Sequence, residues 1–268
     1  IRRQRQMFIR DRNKIMALLQ LNYLSKTIGA HHSLNVILPE DESFFDTNRE
    51  AKPLKSMLVL HGLSSDANSY IRYTSIERYA NDHQLAIIMP NADHSFYTNM
   101  VYGHSYYDYI LEVHDYVHQI LPLSKKREDN FIAGHSMGGY GTSKYALTQS
   151  QRFSKAAMLS AAFNVSLLRE YEYYDFCPEA IVGENEDIKG TPFDPYYLVD
   201  KAVTNNVDLP ELLIMCGTED ALYQDNLDFI RYLNEKGVNY HFEKSSGDHD
   251  YAYWDKAIKQ VIETFTRG

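Results

Sequence analysis

The sequence predicts an α/β protein: a mostly parallel sheet of eight strands with helices on both faces, opened by an antiparallel hairpin. Three observations point there. Short continuous apolar runs recur along the chain, helical patterns lie between them, and the first two apolar segments alternate instead of running on. Continuous runs suit strands covered on both faces, as in a parallel sheet; alternation suits a half-covered strand. Regular strand–helix succession then argues for a doubly wound sheet with right-handed crossovers. With 268 residues, 44% of them hydrophobic, the chain can bury one large core.

The elements follow in order. Residues 1–15, "IRRQRQMFIRDRNKI", are dominated by Arg and lack the apolar stretch of a signal peptide. They are expected to be a non-native or disordered basic extension, with the natural start near Met16; a basic amphipathic arm is the other reading. One domain is expected over 16–268. Leu18 to Leu24 alternates, as do Leu34, Val36 and Leu38, and "SKTIGAHH" between them reads as a hairpin connection. Strands are then expected at "MLVL" (57–60), "LAIIM" (85–89), "FIA" (131–133), "AAMLSAAF" (156–163) and "LLIMC" (212–216), with the more polar "YHFEKS" at an edge. Ile110, Val113, Val117 and Leu121 share one helical face, and so do Trp254, Ile258, Val261, Ile262 and Phe265. "QDNLDFIRYLNEKG" ends on Gly237, a natural helix stop. Asn164 to Val203 breaks the rhythm. It is long, aromatic and irregular, so a small cap-like excursion is expected there.

Bulk properties exclude some functions. The formal charge of −9 disfavours a phosphate backbone as partner. No apolar run is long enough to span a membrane. Cys177 and Cys216 make neither a metal spacing nor a disulfide framework, which fits a reducing compartment and a cytoplasmic protein.

The chemistry concentrates in "FIAGHSMGGYG". Gly134, Ser136 and Gly138 form G-x-S-x-G after an expected strand and before a helical stretch, Tyr140 to Leu147. That context makes a nucleophile elbow: a strained strand-to-helix turn with Ser Oγ exposed and glycines where side chains would clash. The helix N-terminus favours negative charge at the same place. A serine hydroxyl needs a base, and the base an orienting acid. In α/β-hydrolases these follow in the order Ser, acid, His. Asp220 lies just beyond "LLIMC", with Glu219 and Asp225 as alternatives. His249 alone of eleven histidines follows the last strand. Asp248 and Asp250 flank it and are expected to be solvated loop carboxylates. The oxyanion hole requires two N–H donors: Met137, after the nucleophile, and Leu63, in the loop after the third strand. His61 precedes Ser136 in the chain, so a structural role in that loop is expected. Tyr and Phe from "SYYDYI" (105–110) and from the excursion are candidate pocket walls.

"LHGLSSDANSY", "AGHSMGGYGTSKYAL", "CGTEDALY" and "GDHDYAYW" resemble the esterase D family, which includes S-formylglutathione hydrolases and bacterial tributyrin esterases, the latter branch being the nearer match. The resemblance runs from about Leu18 to the C-terminus. It implies an α/β-hydrolase fold and hydrolysis of short-chain acyl esters, with thioesters such as S-formylglutathione as further substrates. The family's triad falls on Ser136, Asp220 and His249 and its oxyanion donors on Leu63 and Met137. It implies no metal or cofactor, a small-molecule substrate, and a homodimer or larger assembly. Many formylglutathione hydrolases carry a Cys after H-G-L, where this chain has Ser64 and Ser65. Two rival readings are acyl transfer to a sugar hydroxyl and a non-catalytic module; the latter would be expected to lack one of the three residues.

Overall fold

The computed structural model describes residues 15–40, 52–170, 173–174, 176–184 and 188–267. The expected basic extension therefore lies outside the described residues, except for Ile15, which opens the first strand.

A single eight-stranded sheet has the order β1-β2-β4-β3-β5-β6-β7-β8. Strands β1 (Ile15–Leu24) and β2 (His31–Glu40) form the antiparallel hairpin, and β2 pairs antiparallel with β4 (Leu85–Pro90). From there every pairing is parallel, through β3 (Lys55–Leu60), β5 (Asn130–His135), β6 (Lys155–Leu159), β7 (Glu211–Gly217) and β8 (His241–Ser245). This is the α/β-hydrolase arrangement that the resemblance implies.

The continuous apolar runs are buried because both sheet faces are covered. Leu58, Leu60, Ile88, Ile132, Met158 and Ile214 point to one side. Met57, Val59, Ile87, Phe131, Leu159 and Met215 point to the other. On the first side lie α3 (Tyr106–Ile120), α4 (Met137–Thr148), α6 (Pro195–Thr204) and α7 (Tyr223–Glu235). On the second lie α1 (Ser69–Tyr73), α2 (Ile76–Asp82) and α8 (Tyr251–Thr266). A fully buried side chain of this size contributes about 1.5–3 kcal/mol, so the two-sided central strands carry the fold. Strand β8, mostly exposed, is the expected edge. Among the described residues no helix is long and apolar enough to cross a membrane.

Two boundaries differ from expectation. The run "AAMLSAAF" is strand only to Leu159: Ser160 has φ +46 and donates its N–H to Met215 O at 2.7 Å, turning the chain out of the sheet. The helix after the elbow starts at Met137 rather than Tyr140, because the Tyr140 N–H reaches Ser136 O at 3.0 Å and closes its first turn. The excursion contains a 3₁₀ turn (Val165–Glu170), α5 (Pro178–Val182) and α6 before the chain re-enters the sheet at β7.

Candidate active site

Parallel strands all end on one edge, and loops leaving that edge meet there. Ser136 leaves β5, Leu63 follows β3, Asp220 follows β7 and His249 follows β8.

Ser136 has φ +54 and ψ −120, a backbone state that ordinary side chains avoid. Neighbouring bonds hold it there. Its N–H donates to Leu159 O at 2.9 Å, and its carbonyl accepts from Tyr140. The flanking glycines allow the sharp turn. A Cβ on Gly134 would lie 2.4 Å from Gly138 O, and one on Gly138 would lie 2.2 Å from Leu60 O. Both obstacles are backbone and cannot swing aside. Gly138→Ala is therefore expected to destabilise the fold by about 3 kcal/mol or more, read as a lowered midpoint in urea unfolding.

The three residues expected to form the triad meet. His249 Nε2 lies 3.0 Å from Ser136 Oγ, and its Nδ1 lies 3.0 and 2.9 Å from the two Asp220 oxygens. Asp220 is buried. Burial pushes its carboxyl up, but the hydrogen bond and charge of His249, then the Leu222 N–H, outweigh this and hold it below the usual range. An ionised Asp220 places the proton on His249 Nδ1 and leaves Nε2 free to accept from Ser136. The alternatives are engaged elsewhere. Asp225 accepts from the Asn164 N–H at 2.9 Å and so anchors the start of the excursion; burial pushes its carboxyl up to about 6. Glu219 is exposed and accepts from the Gly247 N–H. Asp250 is exposed, as expected of a solvated carboxylate, and is also the N-cap of α8, accepting from the Tyr253 N–H at 3.0 Å. Asp248 is exposed and accepts from the His249 N–H.

Leu63 and Met137 both border Ser136 in this arrangement: Leu63 lines the same cavity, and Met137 opens α4. Among the described residues no hydrogen bond occupies the N–H of either. His61 has the structural role expected of it. Its Nε2 accepts from the Ala92 N–H at 2.9 Å and its Nδ1 donates to Gly62 O at 2.8 Å, clamping the Leu63 loop. Tyr97 OH donates to His61 O at 2.9 Å.

The cavity above Ser136 has a volume of about 640 Å³, within the range of small-molecule sites. Its aromatic walls are Phe96, Tyr173, Tyr251 and Trp254. The excursion supplies Tyr173, as expected, but no residue of 105–110 lines this cavity. Tyr106 and Tyr109 are buried in the core instead, and the Tyr106 hydroxyl bonds Asp93. Composition alone did not separate wall from core among 22 tyrosines.

Some site residues left no readable signal. Ser160 accepts from Trp254 Nε1 at 3.1 Å, and its hydroxyl helps to hold the Asp220 carboxyl low, yet its sequence context reads as strand. Trp254 reads as a core residue of the last helix, but its ring also stands edge-on to His249, centroids 4.9 Å apart. Ser65 bonds Tyr251 OH at 2.9 Å and so ties the Leu63 loop to α8.

Several histidines are held neutral by burial. His61 and His135 are both pushed below the usual range by desolvation. At the opposite end of the sheet, burial, then His118 and Arg152, push His114 down to about 4. The unfolded chain binds protons at these sites near pH 6.5, whereas the folded chain does not. Their stabilisation is therefore complete above pH 6.5 and is lost as pH falls; His114's share levels off near 4, at about 3 kcal/mol. Urea unfolding at pH 7.5 and 5 is expected to show this slope, and His114→Phe to remove part of it.

The family described as "Putative esterase" matches residues 25–265. The chain is 63% identical to the substrate-bound fluorophosphonate-binding serine hydrolase F of Staphylococcus aureus, with a TM-score of 0.93 over 94% of this chain and 99% of that one. It is 64% identical to an S-formylglutathione hydrolase from Staphylococcus aureus, with a TM-score of 0.89 over 94% of this chain and all of that one (100%). An acetyl esterase of Caldicellulosiruptor saccharolyticus is 26% identical over 267 residues, 94% of this chain and 99% of the relative.

Proposed function

The chain belongs to the esterase family and is a serine hydrolase of carboxylic esters, and on that premise we propose that it cleaves short-chain acyl esters, and thioesters such as S-formylglutathione, in the cytoplasm through Ser136, His249 and Asp220. The observation that carries this reading is the continuous hydrogen-bond chain from Ser136 Oγ through His249 to Asp220, at the floor of an aromatic-walled cavity.

In the proposed reaction, His249 Nε2 takes the proton of Ser136 as Oγ attacks the acyl carbonyl. The N–H groups of Leu63 and Met137 hold the tetrahedral oxyanion, assisted by the positive end of α4. His249 then protonates the leaving alkoxide or thiolate. Water, deprotonated by the same imidazole, releases the acid from the acyl-enzyme. Asp220 keeps the required tautomer and stabilises the imidazolium in both halves. The two cysteines, both free, support the cytoplasmic reading.

The test is an initial-rate series on p-nitrophenyl esters from acetate to octanoate, with S-formylglutathione assayed beside it. The expected result is a steep fall beyond butyrate. A fluorophosphonate probe is expected to label the protein and abolish that activity, as the name of one neighbour suggests. Absence of hydrolysis on every ester and on the thioester would overturn the proposal. A rate that appears only with an added sugar acceptor would replace it with acyl transfer.

A further inference from the structure

We propose that Phe96 sets the acyl-length limit of this site by closing off a second, largely apolar cavity behind it. The inference rests on the ester-hydrolase reading above and concerns which acyl groups that site admits.

Among the described residues, two cavities share Phe96 as their common lining residue. One holds Ser136 and His249. The other is small, about 10 Å³, and is walled chiefly by Val165, Leu168, Ile181, Val182, Ile188 and Phe193. Among the described residues that line it, the polar ones, Tyr140 and Thr98, are engaged elsewhere: Tyr140 OH donates to Phe193 O at 2.7 Å, and Thr98 Oγ1 to Ser95 O at 2.9 Å. A space without free polar partners stays dry, and the occupant that suits it is hydrocarbon. Because the 3₁₀ turn of 165–170 and α5 supply much of its wall, the excursion shapes the acyl side of the site.

Phe96 stands between the cavities in a fixed pose. Phe96 and Tyr97 have φ of +49 and +51, consecutive non-glycine residues in the left-handed region. Such a conformation persists only where surrounding bonds enforce it. Ser95 provides them. Its Oγ accepts from the Tyr97 N–H at 3.1 Å and its carbonyl from the Thr98 N–H at 3.2 Å, while its own N–H donates to Ala92 O. The Phe96 ring is wedged against Tyr140 and Phe176, with centroids 5.6 and 5.9 Å away. A mobile side chain would impose no sharp limit; a wall held by its own backbone does.

Each methylene that enters an apolar site is worth about fourfold in kcat/KM, equivalent to about 0.8 kcal/mol. In the wild type, carbons beyond Phe96 find no room. In Phe96→Ala the two cavities merge, and two further methylenes should raise the octanoate-to-butyrate ratio of kcat/KM by about tenfold or more. Because Phe96 is buried, Phe96→Leu is made in parallel, with a smaller change in the same direction expected. Val182→Phe borders only the second cavity. It should leave the wild-type profile unchanged and cancel the gain when combined with Phe96→Ala. Fluorophosphonate labelling counts intact sites in each variant. An unchanged length ratio in both Phe96 variants, at full labelling, overturns the inference. So does an equal loss at all lengths, which would make Phe96 a positioning residue only. Failure of the wild type on every ester would be a different result, overturning the hydrolase reading itself.

Discussion

Ser136→Ala is expected to lower kcat on a p-nitrophenyl butyrate assay by about a million-fold while leaving the fold intact. The substitution removes one oxygen at the mouth of a cavity and disturbs no packed methyl group. The strained turn at φ +54 is enforced by backbone bonds from Leu159 and Tyr140, which alanine retains. His249 loses only its Nε2 partner and keeps Asp220. The unfolding midpoint should therefore stay near the wild-type value while labelling by a fluorophosphonate disappears. A variant that retains substantial turnover would place the nucleophile elsewhere and end the proposal for Ser136.

Asp220→Asn is expected to cost about ten-thousand-fold in kcat, with KM little changed. The amide is nearly isosteric, and its oxygen can still accept from the Leu222 N–H, now bonded to Oδ1 at 2.8 Å. What changes is the proton. An amide NH₂ facing His249 Nδ1 forces the ring's own hydrogen onto Nε2, where it points at Ser136 Oγ and cannot accept from it. The carboxylate charge that stabilises the imidazolium is also gone. Glu219→Gln and Asp225→Asn serve as comparisons. Each should retain activity within about tenfold, since the first carboxylate is bound to the Gly247 N–H and the second to the Asn164 N–H. Equal losses in all three would remove the special place of Asp220.

Much of the fold was legible because its signals are local. Runs such as "LAIIM" and "LLIMC" report burial on two faces within five residues, and the helical face Ile110, Val113 and Val117 reports burial on one. The elbow was legible for the same reason: its glycines, serine and flanking elements lie within a dozen residues. The run "AAMLSAAF" misled because Ser160 leaves the sheet through a backbone torsion, and nothing in its neighbours' polarity reports a φ of +46. The tyrosines of 105–110 misled because a ring can face core or cavity with the same side chain. Asp250 is exposed, as its charge implies, while its further role as the cap of α8 depends on where that helix begins.

By itself the sequence determined the succession of strands and helices, the turn that presents Ser136, and the presence of an acid and a histidine after it in the chain. These depend on interactions within a turn or two of backbone, where residue type and spacing carry the information. Only the tertiary structure decided which groups meet. His249 reaches across 113 positions to Ser136 and 29 to Asp220. Ser160 and Trp254 support that contact from two further elements, and Phe96 separates one cavity from another. Such meetings depend on strand order and crossover geometry, because parallel strands deliver their loops to one edge whatever their distance along the chain.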